Sequence, residues 1–247
     1  MSTPTTWPKS RPQLTAEQVA IMEDWYTYFL REVLQARHGR IDRFNHRYAA
    51  RTAFPGCRTL EIGPGNGTHL DFEDLDAQDE YVAIELRPSL SDQIGTLHPK
   101  LRVVVGDCQK GLPFPDGYFD RVLAIHVLEH LDDLPAVLGE ISRVLKWSGT
   151  LSVVLPCEGG RAYALGRRLT SQRQFERRYG TPYNWMISYD HINTAREVIE
   201  ALSDRFSLSQ SAYFPLRIKL LDCNLVVGLT FGGANPATGR TRTQTAR

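Results

Sequence analysis

Three glycines at alternate positions, Gly63, Gly65 and Gly67, follow the short apolar run from Cys57 to Ile62, and an acid, Glu61, stands two residues before the first of them. Glycine at this spacing lets the chain turn sharply at the end of a strand. It also opens main-chain atoms to a ligand that a Cβ would hold off. The spacing is neither G-x-G-x-x-G nor that of the Lys-bearing phosphate loop. No Lys or Arg lies within the loop, and Glu61 would repel a pyrophosphate. Such a loop suits a ligand with a positive or hydrogen-bond-donating part. A second acid, Glu85, closes the next apolar run, Tyr81 to Leu86. An acid about 20 residues past a glycine loop matches the ribose-binding logic of nucleotide folds. Alone, Glu85 would read as a surface acid at a strand end; the glycine loop ahead of it favours the ligand.

The order Leu60-Glu61-Ile62-Gly63-Pro64-Gly65-Asn66-Gly67-Thr68, E-x-G-x-G-x-G after a strand, resembles the first motif of the class I S-adenosylmethionine (SAM)-dependent methyltransferases. The resemblance runs from about Arg58 to Pro156 and implies that the loop cradles the amino-acid end of SAM. Gly106-Asp107-Cys108, followed by Leu112-Pro113-Phe114, is similar to the family's adenine segment. That similarity implies that Asp107 accepts from the exocyclic amine and that the next backbone N–H, at Cys108, meets the ring. Lys146-Trp147-Ser148-Gly149-Thr150 resembles the family's turn before the fifth strand, with Ser148 in place of a glycine. The implied cofactor is SAM, held by Glu61, Gly63, Gly65, Gly67, Glu85, Asp107, Cys108 and His126.

His126 ends the apolar run of the fourth strand, on the ligand edge of an open α/β sheet, and His130 follows four residues later with Glu129 beside it. H-x-x-E-H also evokes a zinc helix, but the match is short and common. The preceding strand and the resemblance place the segment beside the cofactor, with His126 as a wall of its pocket, and no metal is expected. Farther on, Asp190-His191-Ile192-Asn193 precedes a helix. His191 with Asp190 is the candidate general base for a hydroxyl acceptor; capping of the helix is the competing reading. Tyr183, Glu158 and Arg161 are candidates for contact with the acceptor.

The elements that must position these residues follow from periodicity. Strands are read at Arg58–Ile62, Tyr81–Leu86, Leu101–Val105, Asp120–Ile125, Thr150–Leu155, Phe206–Phe214 and Asn224–Phe231. The first five alternate with helix-compatible stretches, which implies parallel pairing with helices on both faces. The last two are joined only by a loop, which implies an antiparallel hairpin. The expected fold class is α/β: a Rossmann-like seven-stranded, mostly parallel sheet with a terminal antiparallel hairpin, a helical N-terminal cap and an insertion after strand 5. The domain reading is a flexible arm at 1–13, the cap at 14–56, the SAM-binding domain at 57–232 with its substrate-side insertion at 157–193, and a disordered tail at 233–247. In the cap, Thr15-Ala16-Glu17-Gln18 is a capping box, and Ile21, Trp25, Tyr28, Phe29 and Val33 recur at helical spacing. Arginines of the cap, Arg40, Arg43, Arg47 and Arg51 among them, read first as a solvated face and second as a lid over the cofactor edge. The six acids between Asp71 and Glu80 read as solvated.

Over 247 residues the net charge is +1, so bulk charge gives no reason to expect a nucleic-acid partner. The four cysteines are far apart and suggest neither zinc nor disulfides, which points to a reducing cytoplasm. The first residues lack the apolar core of a signal peptide, and no run is long enough to span a bilayer. The insertion carries six arginines and six aromatic residues against two glutamates before Asp190. Long connections of this kind are usually functional. Arginine binds phosphate or carboxylate in a two-pronged geometry, so the acceptor is expected to be small and anionic: a metabolite, or a nucleotide- or lipid-linked sugar. O-transfer is slightly preferred to N-transfer. The alternative is a catalytically silent SAM-binding partner protein.

Overall fold

The computed structural model describes residues 5–28 and 39–234. Seven strands form one sheet in the order β3-β2-β1-β4-β5-β7-β6. They are β1 (Arg58–Ile62), β2 (Glu80–Glu85), β3 (Arg102–Val105), β4 (Phe119–Ile125), β5 (Leu145–Pro156), β6 (Phe206–Phe214) and β7 (Val226–Ala234). The first five pair in parallel, and β7 runs antiparallel to both β5 and β6. The helices are α1 (Ala16–Tyr28), α2 (Arg40–Ala50), α3 (Pro88–Leu97), α4 (Leu134–Val144), α5 (Arg161–Leu169), α6 (Ser171–Tyr179), α7 (Asn184–Asp190) and α8 (Ala195–Ser203). The inner strands are mostly apolar because helices cover both faces: Leu60, Ile62, Val82, Val122, Val153 and Leu229 are all buried, with Glu61 and Arg121 among the buried charged exceptions.

Strand β5 starts five residues before the Thr150 read from the sequence. Leu145 already pairs with Phe119, across a register shift before Arg121 meets Thr150. The run Lys146–Gly149 is therefore part of the strand rather than a turn before it. Two helix starts follow their sequence signals. Thr15 and Gln18 exchange backbone and side-chain hydrogen bonds of 3.2 and 2.9 Å. Thr194 and Glu197 form a full capping box ahead of α8. The expected apolar positions at Phe29 and Val33 lie outside the described residues, as does the tail beyond Ala234.

The stretch read as a loose arm is pinned where it is described. The Lys9 ammonium donates to Glu197 at 2.7 Å and to the Ile192 carbonyl at 2.9 Å. Arg11 donates to Asp132 at 2.7 Å, to the Tyr189 carbonyl at 2.6 Å and to the His130 carbonyl. A coil of this composition looks flexible in sequence because its partners are more than a hundred residues away.

The acidic stretch is not uniformly solvated either. The side chains of Glu73 and Arg121 are both fully buried and face each other in a two-pronged pair at 2.9 and 3.0 Å. The aromatic residues of the insertion pack into a core shared with the cap. Phe175 and Tyr183 meet Trp25 of α1 edge-on, at ring separations of 5.3 and 6.2 Å. In α2, Arg40, Arg43, Arg47 and Arg51 are exposed, while Tyr48 lies against Gly228 of β7, where a Cβ would come within 2.5 Å of its ring.

Candidate functional site

In a parallel sheet, every strand delivers its following loop to the same edge. Here that edge collects Gly63–Gly67 after β1, Glu85 at the end of β2, Gly106–Cys108 after β3, His126–His130 after β4 and Cys157–Glu158 after β5. Registry makes neighbours of them. Ile62 pairs with Ala124, and the His126 N–H donates to the Val154 carbonyl at 2.9 Å.

All three loop glycines have positive φ, 64°, 60° and 80°. Gly63 also has no room, because a Cβ there would come within 2.7 Å of the Val127 side chain. Gly65 is the opposite case: nothing lies within 4 Å of a Cβ built on it. Its missing side chain leaves an open cradle at the loop's apex. The cradle and the acids around it fit the amino-acid and ribose parts of SAM. Replacing Gly65 by Val is expected to weaken SAM binding at least tenfold while costing ~1–3 kcal/mol of stability from the positive φ. Calorimetric titration on a chain shown to be folded checks this, and unchanged affinity would remove the loop from the cofactor site.

The acids differ in their partners. Glu61 was expected to be a direct ligand, yet it is only 2% exposed, and its Oε2 accepts from the Tyr81 hydroxyl at 2.8 Å. Burial pushes its carboxyl above the usual carboxylate range. Glu85 accepts from the Gly65 N–H at 3.2 Å, from the Arg87 N–H at 3.0 Å and from Arg87 Nε at 3.3 Å. A carboxylate has about four acceptor positions, so Glu85 ties the glycine loop to β2 and keeps capacity for a hydroxyl. Asp107 accepts from the Gln109 N–H at 3.0 Å in a short 3-10 turn, Cys108–Lys110. Burial, then the charge of Asp107, pushes the Cys108 thiol up to about 12.

After β4 the backbone takes a left-handed residue at His126, φ 54°, an uncommon conformation for a residue other than glycine. Its Nε2 accepts from the Asn45 amide of α2 at 2.9 Å, and its Nδ1 lies 3.4 Å from Glu129. A 3-10 turn, Leu128–His130, follows. Segment 190–193 returns to this turn and is stitched to it. The Asn193 N–H donates to the Glu129 carbonyl at 3.0 Å, and its amide donates to the carbonyls of Leu128 and Leu131 at 3.0 and 2.7 Å. Asn193→Ala strands the Leu131 carbonyl and leaves the Leu128 carbonyl only the Leu131 N–H at 3.4 Å, and is expected to cost about 1–3 kcal/mol; a denaturant melt reads this directly.

The result is a cluster that the sequence spreads over some sixty positions. His130 Nδ1 donates to the Asp190 carbonyl at 2.8 Å and lies 3.2 Å from its carboxylate. His191 Nδ1 donates to Glu158 at 3.2 Å, and the two imidazoles meet edge to face at 4.9 Å. Asp190 and His191 stand at the end of α7, and the helix they were expected to precede, α8, begins at Ala195. Capping falls to Thr194. The orienting partner of His191 is Glu158; Asp190 is 3.8 Å from its Nε2 and accepts instead from the Tyr26 hydroxyl. Burial opposes charge on His130, but the hydrogen bond and charge of Asp190, with Glu129, raise it to about 9. Burial likewise opposes charge on Asp190, yet His130 holds its carboxyl well below the usual range.

A cavity of about 250 Å³ opens beside this cluster, lined by Glu158, Arg167, Asn184, Ser188, His191 and Thr194 among others. The arginine at its wall is Arg167, which donates to Glu158 at 2.9 Å and has a buried Nε–H without a partner. Arg161, chosen from the sequence, is exposed at the first turn of α5. Tyr183 sits in the aromatic core between insertion and cap, where burial and then Asp190 push its hydroxyl up to about 12. Arg167 carried no signal to separate it from its neighbours, since its distinction is the pairing with Glu158.

The sequence pattern of a family described as a methyltransferase domain matches residues 60–153. Over those residues the chain is similar to the SAM-dependent methyltransferase domains. The sterol 4-C-methyltransferase strm-1 of Caenorhabditis elegans is 34% identical over 102 residues, 38% of this chain and 29% of that protein. A probable S-adenosylmethionine-dependent methyltransferase of Mycobacterium tuberculosis strain H37Rv is 29% identical over 114 residues, 45% of this chain and 41% of that protein. The 18S rRNA (guanine-N(7))-methyltransferase of Bos taurus is 31% identical over 113 residues, 43% and 37% of the two chains. The chain thus spans less than half the length of these relatives. Among solved structures, the N-methyltransferase NodS of Bradyrhizobium japonicum WM9, in complex with S-adenosyl-L-homocysteine, superposes with a TM-score of 0.60 at 14% identity, covering 87% of this chain and 98% of that one. The [4+2]-cyclase SpnF reaches 0.62 at 18% identity, covering 92% and 100%. These likenesses show a shared methyltransferase-type fold, and a cyclase among them shows that the fold leaves the reaction open. Among the described residues, no helix is long and apolar enough to cross a membrane.

Proposed function

We propose that this protein transfers a methyl group from SAM to a hydroxyl of a small acceptor bearing an acidic group, a metabolite or a nucleotide- or lipid-linked sugar. The observation that carries this reading is the division of one sheet edge. The glycine cradle, Glu85 and Asp107 lie at the ends of β1 to β3, while the cavity with His191 and Arg167 opens beside the ends of β4 and β5.

When bound, SAM supplies a methyl group on a positively charged sulfur that is already a good leaving group. What the chain must add is alignment, which supplies most of the acceleration in such a transfer. Gly63, Gly65 and Gly67 would hold the amino-acid end, Glu85 the ribose hydroxyls, and Asp107 with the Cys108 N–H the adenine. His126 and Val127 wall the pocket between the two halves. On the acceptor side, the donation from His191 Nδ1 to Glu158 leaves Nε2 as the nitrogen with a lone pair when the ring is neutral. That nitrogen faces the acceptor's hydroxyl. The unpartnered Arg167 N–H is a donor for a phosphate or carboxylate oxygen.

A labelled-methyl assay on acidic hydroxylated metabolites and on extract of the source cell tests the reading. Transfer to a hydroxyl is expected. Tight SAM binding without transfer to any acceptor would favour a SAM-binding partner protein instead, and transfer to RNA or an amine would overturn the acceptor class.

A further inference from the structure

We infer that Glu129, His130 and His191 form a binding site for a first-row transition-metal dication at the border between the cofactor edge and the acceptor cavity. The inference deepens the proposed function and rests on it only for what the cation does, not for its being bound. The donor atoms of these three side chains all lie within 4.8 Å of one another. Metal–ligand distances of ~2.0–2.2 Å would bring them to roughly 3–3.5 Å apart, so the widest pair must close by up to about 1.3–1.8 Å through side-chain rotation.

Three features separate this cluster from an ordinary polar contact. First, Glu129 is only 2% exposed and its Oε2 has no hydrogen-bond partner. An orphaned buried acceptor is costly, and a cation removes that cost. Second, both imidazoles are set up as ligands. His130 Nδ1 faces the Asp190 carbonyl at 2.8 Å and His191 Nδ1 faces Glu158 at 3.2 Å. Only a donor can face those oxygens, so in each neutral ring the proton is on Nδ1 and Nε2 presents its lone pair. Carboxylate or carbonyl partners of this kind orient the histidines of metal sites and fix their tautomer. Third, charge around the cluster is lopsided. Glu129, Asp190 and Glu158 bring three carboxylates. The groups facing them are Arg167 on Glu158 at 2.9 Å, the two histidines themselves and His126, whose Nδ1 is 3.4 Å from Glu129 Oε1; Arg11 is given to Asp132 and to backbone carbonyls.

Two imidazoles and one carboxylate suit zinc, cobalt or iron better than magnesium or calcium. Three protein ligands leave coordination positions open. His191 also lines the acceptor cavity, so an open position can reach an acceptor oxygen there. The His191 lone pair then serves the cation, and a hydroxyl bound to the cation becomes more acidic. The substrate class this favours is an acceptor whose hydroxyl lies beside a second oxygen, able to bind the cation through both.

The test uses the full chain, stripped with a chelator and titrated with Co2+ and Zn2+. One equivalent should bind, with a visible Co2+ ligand-field spectrum. His130→Ala and His191→Ala should each weaken binding more than tenfold. Glu158→Ala, which removes the partner that orients His191 but none of the three ligands, should weaken it roughly 10–100-fold, and His98→Ala at the end of α3 should change nothing. Glu129→Gln preserves side-chain size at the buried position, and circular dichroism reports whether each variant is folded. Absence of stoichiometric binding, or affinity unchanged in the two histidine variants, overturns the site. SAM affinity measured on the metal-free chain separates the two ideas. Metal binding without SAM binding sinks the methyltransferase reading alone, and SAM-dependent transfer by a chain that binds no cation sinks the metal site alone.

Discussion

Arg121→Met will destabilise this protein by about 3–5 kcal/mol, the usual cost of stranding one member of a buried ion pair. Arg121 lies in β4 with no exposed surface, and all of its N–H groups are used. They go to the Thr52 and Thr59 hydroxyls at 3.2 and 3.0 Å, to the Ala49 carbonyl at 3.2 Å, and to both oxygens of Glu73 at 3.0 and 2.9 Å. Those partners belong to the end of α2, to β1 and to the segment after the 3-10 turn Thr68–Phe72 that leaves the glycine loop. One side chain therefore locks the cap, the sheet and the cofactor loop together. Methionine keeps much of the volume, so the loss is electrostatic. Glu73 would keep only His69 at 2.9 Å and Gln78 at 2.7 Å. Guanidinium melts check the value, and adding Glu73→Gln to Arg121→Met should return part of the stability. A single-variant loss below about 1 kcal/mol would show that the pair is not the lock described.

His191→Ala is expected to lower turnover by roughly 10²–10⁴, the range for a positioned proton-transfer group, while SAM affinity stays nearly unchanged. The separation follows from position. His191 faces the cavity and Glu158 from the end of α7, whereas the proposed SAM contacts come from the loops after β1, β2 and β3. Steady-state kinetics with a labelled methyl donor, together with calorimetry, read the two quantities independently. A rate near that of the unmodified chain would remove His191 from the mechanism, and a collapse of SAM affinity would move it to the cofactor side.

Much of the cofactor edge was legible because its residues are local signals. A strand followed at once by glycines, and acids at successive strand ends, need only short-range order to be read, and the strands carrying them lie within a few residues of where periodicity put them. Glu61 shows the limit of such reading. Its spacing is that of a ligand, but Tyr81 from the neighbouring strand claims one of its oxygens, and pairing between strands is invisible in a motif. Glu73 shows the same limit within an acidic run. Six acids together look solvated until one of them meets an arginine 48 positions away.

The acceptor side was the harder half. Arg161 and Arg167 are alike in sequence, and only the fold puts Arg167 against Glu158 at a cavity wall. His191 was visible as a candidate, but its partner was not. Asp190 is adjacent in sequence, yet the chain leaves α7 so that Glu158, from the end of β5, takes its Nδ1. By itself the sequence determined the α/β architecture, the parallel order of the first strands and the glycine loop, because hydrophobic periodicity and glycine's backbone freedom are properties of short segments. Only the tertiary structure decided which charges are buried and which histidines share a cluster, because those contacts join residues that meet only once the sheet has formed.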